Sequence, residues 1–223
     1  MKSKTSCWIG LILAGLFVSG CASSSPMALN EGKGKLNPGA TDAIVLLTVK
    51  VSKETNRDAQ PCLVSVWVAR KNPEKSHSVD HYYIVGKPTV DVSKQYNEYI
   101  VSIRIPGGKL FMSSLYTQNS SFWLGVSQGY VPLNMNVNVE PGHVYYMGSI
   151  EANIRERLDG EVRAGPLFPL ATQAASGYSN GTWDVAILDN YEKHMTMIKN
   201  LYPAVAEVIV EKRILPVWVR PTK

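Results

Sequence analysis

The chain has 223 residues, with 23 Lys and Arg against 18 Asp and Glu, and a formal net charge of +5. That length fits one large domain, or one domain with an appendage, and is enough to bury a real core. The basic excess is mild and no Lys/Arg run is dense, which excludes a nucleic-acid surface and leaves at most an affinity for anionic lipid heads or cell-wall phosphates.

Lys2 and Lys4 precede an apolar run from Trp8 to Val18, and Ser19 and Gly20 then lead into Cys21. This is the layout of a secretory signal. The apolar run is shorter than the ~20 residues a membrane-spanning helix needs. The four residues Val18-Ser19-Gly20-Cys21 resemble the lipobox of bacterial lipoproteins, in which the cysteine is acylated and becomes the new N-terminus. The expected organisation is therefore a signal peptide over 1–20, a lipidated Cys21 with a flexible linker to residue 42, and a folded domain over 43–223. Each buried methylene of an acyl chain contributes ~0.8 kcal/mol, so several chains make a permanent anchor. The resemblance implies the outer membrane, because Ala22 stands where an aspartate would favour inner-membrane retention. Removing 1–20 takes Lys2 and Lys4 with it and lowers the positive charge by two.

Residues 22–41 are rich in Ser, Gly and Pro, the composition of a flexible linker, whose root-mean-square span would be roughly 25 Å. From Ala43 the period is two: Val45, Leu47, Val49 and Val51 share one face, and Thr48, Lys50 and Ser52 the other. Cys62, Val64, Val66 and Val68 repeat the pattern, which makes Cys62 a small buried core residue on a strand. Residues 72–79 read as a polar loop and Tyr82–Val85 as a short strand. Tyr99, Val101, Ile103 and Ile105 mark a clear strand ended by Pro106-Gly107-Gly108, with another starting at Lys109. Residues 122–130 are a further candidate.

Leu133, Met135, Val137 and Val139 then alternate with Asn134, Asn136, Asn138 and Glu140. Pro141-Gly142 makes a turn, and Val144, Tyr146, Gly148, Ile150, Ala152 and Ile154 share a face beyond it, which predicts a β-hairpin. A face of three asparagines and a glutamate stays wet, so the sheet is apolar on one side, as antiparallel sheets paired into sandwiches are. Residues 161–179 read as loop, and Trp183, Val185 and Ile187 as a strand. Asp189 and Glu192 have capping-box spacing, and Tyr191, Met195, Ile198 and Leu201 follow at helical intervals up to Pro203, with the stripe expected on an edge or end of the sandwich. The tail from Ala204 reads equally as continued helix or as strand, with Val217-Trp218-Val219 a candidate edge strand. The fold class is mainly β: an antiparallel β-sandwich with one C-terminal amphipathic helix.

The segment Pro141-Gly142-His143-Val144-Tyr145-Tyr146-Met147-Gly148, with its Pro-Gly turn, aromatic pair and following glycine, and the late Leu201-Tyr202-Pro203, resemble bacterial lipoproteins with a prealbumin-like (transthyretin-like) β-sandwich. The resemblance covers about Ala43 to Pro203. It implies the fold and carries no catalytic residues.

Candidate chemistry is sparse. His77, Asp80 and His81 offer metal ligands, but they sit in a polar stretch and a zinc site needs three or four converging ligands; the solvated-loop reading is preferred. Asp184, Asp189 and Glu192 suggest paired carboxylates, yet capping accounts for two of them. No G-x-S-x-G elbow or phosphate-binding glycine loop occurs. Tyr82, Tyr83, Tyr116, Phe122, Trp123, Tyr130, Tyr145 and Tyr178 supply aromatic surface for stacking on sugars or peptides, or else core and cross-strand pairs. Apart from lipidation of Cys21, no residue is assigned to catalysis, cofactor or metal.

The expected function is that of a lipid-anchored cell-envelope protein acting as a non-catalytic binding or structural module. Its partners would be the membrane, through the N-terminal lipid, and an envelope protein or glycan. The alternative is an envelope hydrolase acting on glycan or peptide, which would bring His143 or His194 beside Asp184 in a cleft. A third reading is assembly through an exposed sheet edge.

Overall fold

Strands with one apolar side need a second layer to bury it. The computed structural model describes residues 23–29, 36–54, 60–71, 78–85, 90–93, 95–121 and 125–222. Over these the protein is mainly β, a sandwich of two sheets with one C-terminal amphipathic helix. The strands are β1 (Ser23–Ser25), β2 (Asp42–Lys53), β3 (Cys62–Lys71), β4 (Ser78–Ile84), β5 (Val90–Ser93), β6 (Tyr96–Pro106), β7 (Gly108–Ser121), β8 (Gly125–Val139), β9 (Val144–Glu156), β10 (Gly181–Leu188) and β11 (Val210–Lys212). The amphipathic helix is α2 (Tyr191–Leu201), followed by a 3-10 turn over Pro203–Glu207; a short helix α1 (Leu170–Ala175) forms where the sequence reads as loop.

The first sheet has the order β1-β4-β3-β7-β8 and the second β10-β9-β2-β6-β5, with β11 beside β9. Most neighbours are antiparallel. The exceptions are β1 with β4, β11 with β9 and, at the centre of the second sheet, β2 with β9.

The hairpin expected at Pro141-Gly142 does not form. β8 pairs with β7 in the first sheet and β9 with β2 and β10 in the second, so the turn carries the chain from one sheet to the other. The local pattern is the same in both cases, because two arms joined by a tight turn face inward whether they are neighbours or opposed across the ~10 Å between sheets. Pro106-Gly107-Gly108 makes a second crossing of this kind. The two crossings lie against each other: a Cβ on Gly107 would fall 2.4 Å from Pro141 Cγ, so only glycine fits. Both are tied to the start of β2, with Gly107 N–H donating to the Thr41 carbonyl at 2.9 Å and Gly142 N–H to the Asp42 carbonyl at 2.8 Å.

Between the sheets, Val45, Leu47, Val49 and Val51 of β2 meet Val66, Val68, Leu115, Val131, Leu133 and Met135 of the first sheet. Two bulges shift the inward face from where strict alternation puts it. In β3 the register shifts between Leu63 and Ser65, so Leu63 is buried and Cys62 is exposed, a correction to its reading as a core cysteine. In β9 the register shifts opposite Leu46 and Thr48, and Gly148 takes φ +100, a conformation that suits glycine. Tyr145 and Met147 therefore face the core before the bulge, and Ile150, Ala152 and Ile154 after it, while Val144 and Tyr146 face outward.

Those outward residues are not wet. Ile44 and Leu46 of β2, Ile100 of β6, and Val144 and Tyr146 of β9 form a second core with Met195 and Ile198 of α2 and with Tyr202 and Val205. The helix thus covers a face of the second sheet rather than an edge or end. Leu201, expected in its stripe, is 42% exposed, and Tyr202 is buried in its place. At the start of the helix the Tyr191 N–H donates to Asp189 Oδ1, a bond two residues long rather than the expected capping-box bond. Thr48, read as solvent-facing, lies under α2 and is fully buried.

The described part of the expected linker also belongs to the fold. Ser23–Ser25 pair with His81–Tyr83 of β4, the Ala28 N–H donates to the Ser102 carbonyl at 2.8 Å, and the Leu29 N–H to Ser102 Oγ at 2.9 Å. Leu29 and Leu36 are buried in the second core, and Arg104 Nη1 donates to the Pro38 carbonyl at 2.6 Å. This overturns the roughly 25 Å stand-off expected of a free chain. Composition conceals the pairing because a three-serine strand is held by backbone bonds.

The tail is neither of its two expected forms beyond β11. From Arg213 it runs extended along β9, with the Arg213 and Leu215 N–H groups donating to the Tyr146 and Met147 carbonyls at 2.9 and 3.0 Å. Trp218, read as part of an edge strand, packs against the inner core instead, its Nε1 donating to the Pro132 carbonyl of β8 at 2.7 Å. The tail thereby ties the two sheets together.

Candidate functional site: an aromatic face on the first sheet

On the outer side of the first sheet, Ser65 of β3, Tyr116 of β7 and Tyr130 of β8 stand in one cross-strand row, with Trp67, Ser114 and Pro132 in the next. Inward-facing Val66, Leu115 and Val131 fix the strands beneath. The three rings touch: Tyr116 and Tyr130 have centroids 5.1 Å apart at 34°, Trp67 and Tyr116 6.2 Å at 38°, and Trp67 and Tyr130 5.7 Å in an edge contact at 71°. Such pairs contribute about 0.5–1.5 kcal/mol each beyond burial. Trp67 Nε1 donates to Ser65 Oγ at 2.8 Å, and Gln118 Nε2 to the Tyr116 hydroxyl at 2.8 Å. Gln118 is paired with the exposed Gln128. Trp67 and Tyr116 are half-buried and Tyr130 is 36% exposed, so part of the ring surface reaches solvent.

Residues 62–69, 111–121 and 125–139 contain no Asp, Glu, Lys or Arg, and Lys109, at the start of β7, brings a positive charge to the face beside Asn138. Along its lateral edge, several backbone groups of β8 are engaged. The Gln173 amide bonds both to the Gln128 N–H (2.8 Å) and to its carbonyl (3.0 Å), and the Tyr130 N–H donates to the Ala164 carbonyl at 3.0 Å. Trp218 and Arg213 donate to the Pro132 and Asn138 carbonyls. At those positions the edge resists strand addition.

Of the aromatics singled out in the sequence, Tyr116 and Tyr130 join this face. Tyr145 and Tyr178 are core, the Tyr178 hydroxyl donating to Thr117 Oγ1 at 3.1 Å. Tyr82 and Tyr83 lie on β4, Tyr82 in register with Trp67, and Phe122 and Trp123 lie outside the described residues. Trp67 itself was missed. Its signal was present in the alternation, which sets it opposite Val66 and Val68 on the wet side.

The polar candidates have other occupations. His194 is buried under α2, with Nδ1 2.9 Å from both Thr48 Oγ1 and the Tyr146 hydroxyl, and Nε2 3.7 Å from Glu98 Oε1. Burial holds its pKa below the ordinary histidine value, Lys193 adding to the effect and Glu151 opposing it. His143 pairs with Glu211 at 2.5 Å and stacks on Tyr145. Neither histidine meets Asp184, which is held between Arg155 and Arg220. Glu161 bonds Arg155 at 2.6 Å, and that bond lowers its pKa to about 2. Carboxylates clamped by arginines stay ionised and make poor proton donors. Asp189 pairs with Lys212 at 2.8 Å. His81 lies on β4 and His77 outside the described residues; among those described, no group of three or more His, Cys, Asp and Glu converges on a point that could hold a metal.

Cys21 and the signal segment also lie outside the described residues. No helix among the described residues is long and apolar enough to cross a membrane. Comparison of the chain with family models, with curated proteins and with solved structures finds no match.

Proposed function

We propose that the protein is a lipid-anchored cell-envelope protein, of the prealbumin-like lipoprotein type, that acts as a non-catalytic binding module. The observation that supports the binding part is the aromatic cluster of Trp67, Tyr116 and Tyr130, partly exposed on the first sheet while the matching face of the second is buried under α2. Rigid rings on a sheet lose little conformational freedom when a ligand stacks on them.

The anchor rests on Lys2, Lys4, the Trp8–Val18 run and the Val18-Ser19-Gly20-Cys21 ending. Acylation there, with proteolysis before Cys21, fixes the protein to the bilayer, most simply at the outer membrane. Only Ala22 separates Cys21 from β1, so the first sheet would be held close to the lipid surface. Metabolic labelling with a fatty-acid analogue tests the anchor: the native chain is expected to be labelled and to sediment with membranes, and Cys21→Ser to be unlabelled. Equal labelling of both would overturn it.

A further inference from the structure

We infer that the loop over residues 166–170 is an apolar tip that inserts into the surface of a phospholipid bilayer, a membrane contact separate from the acyl chains at Cys21. It goes beyond the reading as a binding module and does not depend on it.

The loop reads Pro166-Leu167-Phe168-Pro169-Leu170, and every one of these residues is exposed, Phe168 by 78% and Leu170 by 59%. Apolar residues scattered singly over a surface are ordinary, but an unbroken run of them marks an interaction site. Val126 of β8 is exposed as well, two residues before the Gln128 that the base of the loop grips. Residues 164–183 contain no Asp, Glu, Lys, Arg or His, so no charge has to be stripped of water when the tip is covered.

The tip is held out by its base. The Ala164 N–H donates to the Gly181 carbonyl at 2.9 Å and the Gly165 N–H to the Tyr178 carbonyl at 3.0 Å. Gly165 is pressed against β8 so closely that a Cβ there would fall 2.2 Å from the Gln128 carbonyl oxygen. The exposed side chains therefore cannot retreat into the body by a small shift of the loop.

The backbone points to lipid. Chain that enters a bilayer must leave few polar groups without partners. Pro166 and Pro169 have no N–H, and both of their carbonyls accept from the buried Gln173: Pro166 from Nε2 and Pro169 from the backbone N–H, each at 3.1 Å. At the base, Arg163 is exposed with its Nε on the Ser179 carbonyl, a cation placed beside the tip at the depth of lipid phosphates.

A protein partner fits less well. Stable interfaces engage about 20–30 residues a side and carry roughly one hydrogen bond per 100–200 Å². The tip has five residues, none with a polar side chain. Insertion of an apolar element into a bilayer surface asks for neither shape nor polar complementarity.

The test places a photoreactive benzoylphenylalanine at Leu167 of the full chain. It is illuminated in intact cells and, after purification in detergent, in vesicles of phosphatidylethanolamine and phosphatidylglycerol. Mass spectrometry of the tryptic peptide over residues 164–193 then identifies what has been captured. A phospholipid adduct is expected in both settings, and far less of it when the probe stands at Glu207, an exposed position outside the loop. Phe168→Glu should lower the yield by about tenfold or more, because a carboxylate resists entry into the bilayer, while Phe168→Leu should retain most of it. Thermal melts of these variants separate a lost contact from lost folding.

The inference is overturned if the probe at Leu167 captures protein in place of lipid, whether a second copy or another chain, or captures nothing. It is equally overturned if the probe at Glu207 yields as much lipid adduct, or if Phe168→Glu, melting as the native chain does, leaves the yield unchanged. The acyl chains of Cys21 would lie in a different tryptic peptide, so failure of the anchor and failure of the tip appear as separate results.

Discussion

The two sheets present outer faces of opposite fate. On the second sheet Ile44, Leu46, Ile100, Val144 and Tyr146 are sealed beneath α2, Tyr202, Val205 and the residues around Leu29 and Leu36. On the first sheet the corresponding face holds Trp67, Tyr116, Tyr130, Gln118, Gln128 and a row of asparagines, aromatic and amide groups in place of aliphatic ones. The difference teaches where stability and recognition are kept apart. Burying an Ile or Leu fully is worth about 1.5–3 kcal/mol, so the chain after β10 returns to the face with aliphatic residues. The face of rings and amides is stable in water and stays available.

If that division is right, substitutions on the two faces differ in kind. The largest loss of stability is expected from Leu46→Ala or Ile198→Ala, each fully buried in the outer core. Truncations of this type cost about 2–5 kcal/mol, which urea denaturation would measure as a lower midpoint with unchanged slope. A cost below about 1 kcal/mol would mean that α2 is loosely held and that both faces are effectively open.

A smaller effect is expected at His194, and it depends on pH. Burial lowers the folded-state pKa below the ordinary value of about 6.5. The neutral imidazole is thus favoured in the folded protein, and the unfolded chain takes up the proton first as pH falls. The contribution is complete above pH ~6.5 and is lost as pH falls through the lowered folded value. Native protein should therefore show a falling urea midpoint on acidification below that point. In His194→Gln this component should vanish, and at neutral pH the variant should lose about 1–3 kcal/mol through the unmatched Thr48 and Tyr146 hydroxyls. An unaltered pH profile in the variant would remove His194 from the account.

The smallest change in stability is expected on the open face. Trp67→Ala removes the ring contacts with Tyr116 and Tyr130 at a half-buried site, and about 1–2 kcal/mol is the scale of such a loss. Its effect on ligand binding at this face should be proportionately much greater. A variant that melts far below the native protein while binding normally would reverse the comparison and make the rings structural.

Part of this was legible in the residues. Period-two runs located β2, β3, β6, β8, β9 and β10, and the asparagine row of β8 announced a wet face before any sheet was seen. Of the site, Tyr116 and Tyr130 were nameable as aromatics, and Trp67 was readable from its place opposite Val66 and Val68. Bulges defeated the rest of the facing: one extra residue at Val64 or Gly148 reverses every later side chain, and it leaves no trace in hydrophobic spacing. The exposed Cys62 is the plainest case.

The sequence by itself therefore determined most of the long strands, the helix α2 and the wet asparagine face of β8, because these depend on neighbours a few residues away. Only the tertiary structure decided that Pro141-Gly142 crosses between sheets, that β2 and β9 run parallel, that Ser23–Ser25 joins the fold, and that α2 covers the outer face of the second sheet. Those outcomes turn on backbone bonds and apolar contacts between residues far apart in the chain. A local pattern is equally satisfied by several partners until the whole chain has chosen among them.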